Sequence, residues 1–282
     1  MTNILSKKIG IAGCGSMGFP MLQVLIRKNL EVTGYDVKAK SFFELLGNKF
    51  VEDKKRFINS SEVIVSVVRD SSETDELCMG KNGIFESADP ITLIICSTVS
   101  PNYLKKLAKQ SPQNISIIDA PMSGAPIKAR EGSLTFMVGT DGNTFRWVKP
   151  LLEIMGRDII YLGEFGKGMA GKVLNNFVAA CSVVAVRHVL AESNGFGLNP
   201  DELVKVLNAS SGKTWFSEGL FDIEWAQEVY SKSNTIGILE KDVHSYLDGY
   251  VYSKTNKHLW KKNFHDAILD GLKNIPKIPE MN

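Results

Sequence analysis

The sequence is poor in the residues that build metal centres and disulfide frameworks. Its 282 residues include only four cysteines and four histidines. The cysteines form no C-x-x-C pair and the histidines show no ligand spacing, so the pattern predicts neither a disulfide framework nor a metal site. We therefore expect a protein of a reducing, cytoplasmic setting. The cysteines are Cys14, Cys78, Cys96 and Cys181.

The chain also lacks a strong charge and a clear membrane segment. A formal net charge of +2 is too small to favour nucleic-acid or membrane binding. Residues 1–8 lack the apolar core of a signal peptide. The apolar stretch after Gly171 is interrupted by polar residues, so it does not resemble a membrane span. These interruptions are Asn175, Asn176, Ser182, Arg187 and His188.

The first 36 residues contain a strong signal for a dinucleotide site. An apolar run at 8–12 leads directly into Gly13-Cys14-Gly15-Ser16-Met17-Gly18, and a helical pattern follows. A G-x-G-x-x-G motif between a strand and a helix allows a tight turn, a close approach of the pyrophosphate and tight helix packing. The helix N-terminus adds N–H donors for the phosphates. The candidate cofactor-binding residues here are Gly13, Gly15, Ser16, Met17 and Gly18.

An acidic residue about 20 positions further on indicates which dinucleotide is preferred. A second apolar run, at 32–35, ends in Asp36. Its carboxylate is placed to accept hydrogen bonds from the ribose hydroxyls and to repel a 2′-phosphate, which favours NAD. Lys38 and Lys40 weaken this preference, so NADP stays open.

Strand and helix patterns alternate up to about residue 162 and then give way to helices alone. The alternation predicts an α/β fold, with a Rossmann-type doubly wound parallel sheet followed by an all-helical part. We predict a dinucleotide-binding domain at 1–163 and a helical substrate and dimerisation domain at 164–282, which begins with a long interdomain helix. The strand runs are 63–68, 91–96, 115–118, 134–138 and 159–162, and the helical runs before the change include 101–110 and 143–155. Ser100-Pro101 predicts the start of the first of these helices, and Asn199-Pro200 predicts the start of a helix after the change.

Two polar side chains lie one turn apart in the long apolar helix. Lys172 and Asn176 are at i and i+4, so they share one face. Burial of an ammonium is costly unless it is paired or its pKa falls, which indicates a use for Lys172. Alternatively, the helix begins after Lys172 and the lysine is solvated.

The ordered motifs resemble those of the β-hydroxyacid dehydrogenases, a family that includes 3-hydroxyisobutyrate dehydrogenase and tartronate semialdehyde reductase. The cofactor loop is one of four matching stretches, and the loop at 97–101 is similar to one that lies beside the nicotinamide in relatives. The other three are D-A-P-M-S-G at 119–124 with its continuation to 139, G-K-G at 166–168 leading to Lys172 and Asn175-Asn176, and K-D-V at 241–243.

This resemblance implies hydride transfer between a nicotinamide and a small 3-hydroxy acid or its semialdehyde. Lys172 is then the general acid/base, and Asn176 holds the substrate beside it. Ser123 and the Gly124 N–H bind the substrate carboxylate, Thr98 lies near cofactor and substrate, and Lys241 lies near the cofactor. Lys241 on a solvated helix face is an open alternative. Relatives also imply a homodimer or homotetramer.

Two departures from the family pattern limit what the resemblance implies. Ala125-Pro126 stands where relatives commonly have a second glycine, and the segment from Lys254 on, including a cluster at 260–262, matches relatives weakly. Substrate identity therefore does not follow. The alternatives are an imine reductase, a non-catalytic dinucleotide-binding module, and a decarboxylating dehydrogenase of a phosphorylated sugar acid. The last needs arginines for phosphate, and the predicted helical domain at 164–282 has only Arg187.

Overall fold

A computed structural model describes residues 3–38, 40–249 and 259–279. The chain divides into two compact units, at 1–172 and 173–282. The boundary predicted at 163/164 stays a prediction, because the helix that follows it runs on through residue 172. The weakly matching segment at 254–258 lies outside the described residues, as do the side chains of Trp260 and Lys261.

The first unit is built on one sheet, as the alternating pattern predicts. The strand order is β2-β1-β3-β4-β5-β7-β6, with β8 paired to β7. Strands β1 to β5 are parallel neighbours, whereas β7 runs antiparallel to β5 and β6. The strands are β1 (Ile9–Ala12), β2 (Val32–Tyr35), β3 (Val63–Ser66), β4 (Ile91–Ile95), β5 (Ile115–Asp119), β6 (Met122–Ser123), β7 (Leu134–Gly139) and β8 (Gly156–Gly163).

Helices cover both faces of this sheet, and a separate apolar cluster lies on each face. The helices of the first unit are α1 (Gly18–Arg27), α2 (Lys54–Asn59), α3 (Ser71–Met79), α4 (Pro101–Gln110), α5 (Pro126–Glu131) and α6 (Gly142–Met155). The predicted start of α4 is confirmed: the Ser100 side chain accepts from the Tyr103 N–H, and Pro101 is the first helical residue. The doubly wound fold class is confirmed as well.

The described residues of the second unit form helices joined by turns and loops, with no strand among them. The helix α7 (Lys167–Glu192) begins in the first unit and continues into the second, followed by α8 (Pro200–Ala209), α9 (Trp215–Glu218), α10 (Thr235–Gly249) and α11 (Leu259–Lys273). Their apolar faces form a third core that includes Val183, Phe216, Val243 and Leu272. Asn199 caps α8 through the Asp201 N–H, as its sequence position predicts.

By length and composition α7 is long and apolar enough to cross a membrane, but the core helices of proteins that lie outside membranes share both properties. A fully buried arginine, Arg187, hydrogen-bonds to three backbone carbonyls within the second unit, at Ala226, Glu228 and Pro276. That arrangement is typical of a core helix, because buried charge is tolerated where the surrounding protein satisfies it.

Candidate active site

The carboxyl edge of the parallel strands carries the predicted site residues of the first unit. The glycine loop follows β1, Asp36 follows β2, Thr98 follows β4, and Ser123 lies just beyond β5. Because β1, β2, β4 and β5 belong to one parallel array, all four positions lie along the same edge. Ligands of open α/β sheets bind at this edge, beside the point where the strand order reverses.

The glycine loop has the shape that a pyrophosphate requires. Gly13 has a φ of +93°, and a Cβ there would lie 2.8 Å from the Val67 backbone. A Cβ at Gly18 would lie 1.9 Å from the Gly13 carbonyl oxygen, so only glycine permits this helix-to-strand packing. At Gly15 a Cβ would meet nothing within 4 Å. That open side fits a phosphate, and the N-cap residue Met17 makes no side-chain capping bond that would compete for the first N–H groups of α1.

Asp36 is held in place by its own turn. The Lys38 backbone N–H donates to Asp36 Oδ1 at 2.9 Å. This bond occupies one carboxylate oxygen and orients the group at the end of β2. The Lys40 side chain lies outside the described residues.

The loop after β5 places Ser123 and Gly124 in a constrained turn. Ser123 pairs with Thr135 of β7. Gly124 has a φ of +138°, and a Cβ there would lie 2.9 Å from Leu134 Cδ2, so the position requires glycine. Ala125 is extended and serves as the N-cap of α5, with Pro126 at its start. Ala125-Pro126, the departure from the family pattern, therefore forms the start of α5. Ala125, unlike the proline after it, has a backbone N–H.

Lys172 lies inside the helix. The alternative in which α7 begins after this residue is wrong, since the helix begins at Lys167. Lys172 is only 7% exposed and Asn176, one turn on, is 9% exposed. Both polar groups on this face are thus buried, as a functional role requires.

Asp119 is a buried acid of the first unit that the sequence reasoning did not select. It ends β5 and is fully buried, and its Oδ2 accepts from the Met169 N–H of α7 at 2.9 Å. Burial raises the pKa of Asp119 to about 7, although backbone N–H donors at Met169, Gly166 and Gly168 oppose the rise. Asp119 is the first residue of the D-A-P-M-S-G motif, from which only Ser123 and Gly124 are predicted as site residues.

The second unit contains a polar cluster around Asp242. Asn176 Nδ2 donates to Asp242 Oδ2 at 2.5 Å, and Lys241 Nζ lies 2.8 Å from Asp242 Oδ1. Asp242 is 2% exposed. Lys241 is thus paired with a buried carboxylate, unlike a lysine on a solvated face. Asp242 belongs to the K-D-V motif at 241–243 but is not among the predicted site residues.

Arg187 is not available to bind a phosphate, because its side chain is fully buried and donates to the three backbone carbonyls described above. Burial lowers the pKa of its guanidinium to about 10, still far above neutrality. The arrangement counts against a phosphorylated sugar acid as substrate.

No group of three potential metal ligands gathers among the described residues. Burial raises the pKa of the Cys14 thiol, within the glycine loop, to about 12. A thiol of that kind stays protonated and unreactive near neutral pH.

Known proteins match the chain over nearly its whole length. Residues 8–163 match the NAD binding domain of 6-phosphogluconate dehydrogenase, and residues 166–256 match the NAD-binding domain of NADP-dependent 3-hydroxyisobutyrate dehydrogenase. Mitochondrial 3-hydroxyisobutyrate dehydrogenase of Rattus norvegicus is 31% identical over 88% of this chain and 77% of that protein. Across seven mitochondrial 3-hydroxyisobutyrate dehydrogenases and the 2-(hydroxymethyl)glutarate dehydrogenase of Eubacterium barkeri, the chain covers 64% to 80% of the relative's length.

Solved structures share the fold. Mycobacterium tuberculosis 3-hydroxyisobutyrate dehydrogenase with L-serine has a TM-score of 0.78 at 22% identity, and the match covers 96% of each chain. An imine reductase of Streptomyces aurantiacus has a TM-score of 0.62 at 14% identity, with 92% of each chain covered. These two likenesses concern architecture, and residue chemistry has to separate the activities.

Proposed function

Because this chain belongs to the β-hydroxyacid dehydrogenase family of NAD(P)-dependent enzymes, we propose that it interconverts a small 3-hydroxy acid and its semialdehyde, with Lys172 as the general acid/base. The observation that carries the proposal is a lysine buried to 7% exposure near the start of α7. The nicotinamide, when bound, supplies or accepts the hydride. The residues of the chain bind and orient the substrate and transfer the proton.

The proton step belongs to the Lys172 amine. In oxidation the neutral amine takes the hydroxyl proton of the substrate, and in reduction the ammonium returns a proton to the carbonyl oxygen. Asn176 supports the step by a hydrogen bond to the substrate. Its own amide is oriented by Asp242, which accepts from Nδ2. The loss of any one of these orienting bonds would loosen the reacting geometry.

Ser123 and the Gly124 N–H bind the substrate carboxylate in this proposal. We expect Ser123→Ala to raise KM for an acid substrate by roughly 10- to 100-fold, because a hydrogen bond to a charged group contributes about 1.5–3 kcal/mol. Steady-state kinetics measures the effect. The matched control is Ser116→Ala, an exposed serine of β5. Equal KM values for Ser123→Ala and the unchanged protein would place the carboxylate elsewhere.

A substrate panel tests the reaction class directly. NADH and NADPH consumption is followed with short semialdehydes and with a cyclic imine, and NADH or NADPH formation is followed with a phosphorylated sugar acid. We expect turnover of at least one carboxylate-bearing semialdehyde. Turnover of the imine alone would favour the imine reductase alternative, and binding of dinucleotide without any turnover would favour the non-catalytic module.

We also propose that two or more copies of the chain associate through α7. Leu174, Val178 and Val189 are exposed on this helix at spacings that place them on one face. An apolar stripe of this kind is typical of a helix that a partner covers. Light scattering at micromolar concentration is expected to give at least twice 31.1 kDa. Val178→Asp is expected to lower that mass and Met79→Asp, on α3, to leave it unchanged; a mass of 31.1 kDa for the unchanged chain contradicts the proposal. A cytoplasmic location stays a prediction.

A further inference from the structure

Asp119 connects the end of a central strand to the first turn of α7. Its Oδ2 accepts from the Met169 N–H at 2.9 Å, and backbone N–H groups at Gly166 and Gly168 also stabilise its charged form. The carboxylate thus lies at the positive end of a 26-residue helix, which offsets part of the cost of burying its charge. All of these groups belong to the first unit, as does Lys172.

Two glycines let the backbones of β7 and α7 approach each other beside this carboxylate. A Cβ at Gly139 would lie 2.6 Å from Asp119 Oδ2 and 2.7 Å from the Gly168 nitrogen. A Cβ at Gly168 would meet the Met137 carbonyl oxygen first and would lie 3.0 Å from Asp119 Oδ2. The end of β7 and the start of α7 are therefore packed closely against each other and against the Asp119 side chain.

Met169 is tied to a second part of the first unit. Its sulfur accepts from the Val99 N–H at 3.4 Å, and Val99 is the residue after Thr98. Met169 is fully buried, so water does not compete for either of its two hydrogen bonds. Lys172 lies three residues further along α7, about one turn from the anchored residue.

We propose that Asp119 is a positioning residue for the proton transfer. By holding the Met169 N–H, it fixes the first turn of α7 and hence the place of Lys172 relative to the loop that carries Thr98. The proposal rests on the proposed role of Lys172 as the general acid/base. It assigns to Asp119 no contact with substrate or cofactor.

The test is Asp119→Asn, which keeps the side-chain size, removes the charge and leaves only a weaker, neutral acceptor for the Met169 N–H. We expect kcat to fall about 10²-fold, since a displacement of about 1 Å costs a factor of this order. The Kd for NADH is expected to change by less than threefold. Hydrogen–deuterium exchange at the amides of 168–170 is expected to become faster.

Asp141→Asn is the matched control. Asp141 caps α6 by accepting from the Asn143 and Thr144 N–H groups, so it is also an aspartate at a helix start of the first unit. We expect its kcat to stay within twofold of the unchanged protein. An equal loss of kcat in both variants would mean that weakened helix capping in general lowers activity, and it would overturn the specific role of Asp119.

A double variant separates this proposal from the one on which it rests. If Asp119 acts through Lys172, adding Asp119→Asn to Lys172→Ala is expected to cause no further loss of kcat. A further 10²-fold loss, an unchanged kcat in Asp119→Asn alone, or a failure of that variant to fold would each overturn the positioning role. High activity in Lys172→Ala would instead refute the proposed function, whatever Asp119→Asn does.

Discussion

Replacement of Lys172 by alanine is expected to lower kcat by about 10²–10⁴-fold, the usual contribution of a positioned proton-transfer group. Binding of NADH is expected to stay nearly intact, because the glycine loop and Asp36, both of the first unit, are the residues proposed to hold most of the cofactor. Stopped-flow or steady-state kinetics on the best substrate of the panel, together with fluorescence titration of NADH, measures both effects.

Two further lysine variants make this result specific. Lys172→Arg is not expected to restore activity, because a guanidinium stays charged and cannot accept the proton. Lys205→Ala, an exposed lysine of α8, is expected to keep wild-type kcat. If Lys172→Ala kept a third of wild-type kcat, the assignment would be wrong, and Lys241 would be the next lysine to test.

Replacement of Asp36 by alanine is expected to change the dinucleotide preference by about 10²-fold. The unchanged protein should bind NADH more tightly if Asp36, as proposed, accepts from the ribose hydroxyls and repels a 2′-phosphate. Loss of the carboxylate weakens NADH binding by roughly 10- to 100-fold, because a hydrogen bond to a charged group contributes about 1.5–3 kcal/mol. Loss of the carboxylate also removes the repulsion of the NADPH 2′-phosphate. Both effects change the ratio of the NADH and NADPH dissociation constants in the same direction. Fluorescence titration with both dinucleotides measures them.

Residues 166–256 match a domain of an NADP-dependent enzyme, so the preference for NADH or NADPH is worth measuring. Tighter NADPH binding by the unchanged protein would mean that nearby cations such as Lys38 outweigh Asp36. The control is Asp158→Ala, because Asp158 is a surface aspartate of β8 that pairs with Arg157. This variant is expected to leave the ratio of the two affinities unchanged.

The elements with strong local signals were predictable from the sequence. The turn after β1 needs glycines for reasons of backbone space, so G-x-G-x-x-G located both the loop and the helix that follows. Ser100-Pro101 marked the start of α4, because capping and the fixed φ of proline act within one turn. Asn199 marked the start of α8 in the same way.

Features that depend on tertiary contacts were not predictable. The short strand β6 has only two residues, and its pairing with β7 gives it no periodicity of its own. Asp119 resembles any polar residue that ends a strand until its hydrogen bond to Met169 is seen. Asp242 likewise resembles a polar residue of an ordinary amphipathic helix, although it binds both Asn176 and Lys241. The helix α7 begins at Lys167, ahead of the predicted apolar stretch, and its first turn is held by a hydrogen bond to the distant Asp119 side chain.

The most direct test of the proposed reaction is the kcat/KM for oxidation of a short 3-hydroxy acid compared with that of its methyl ester. Both compounds carry the same hydroxyl group for Lys172, but only the acid offers a carboxylate to Ser123 and the Gly124 N–H. We predict that the acid is oxidised at least 10-fold more efficiently, in line with a charged hydrogen-bond contribution of about 1.5–3 kcal/mol. Equal efficiency for acid and ester, or reduction of a cyclic imine with no oxidation of either compound, would contradict the account.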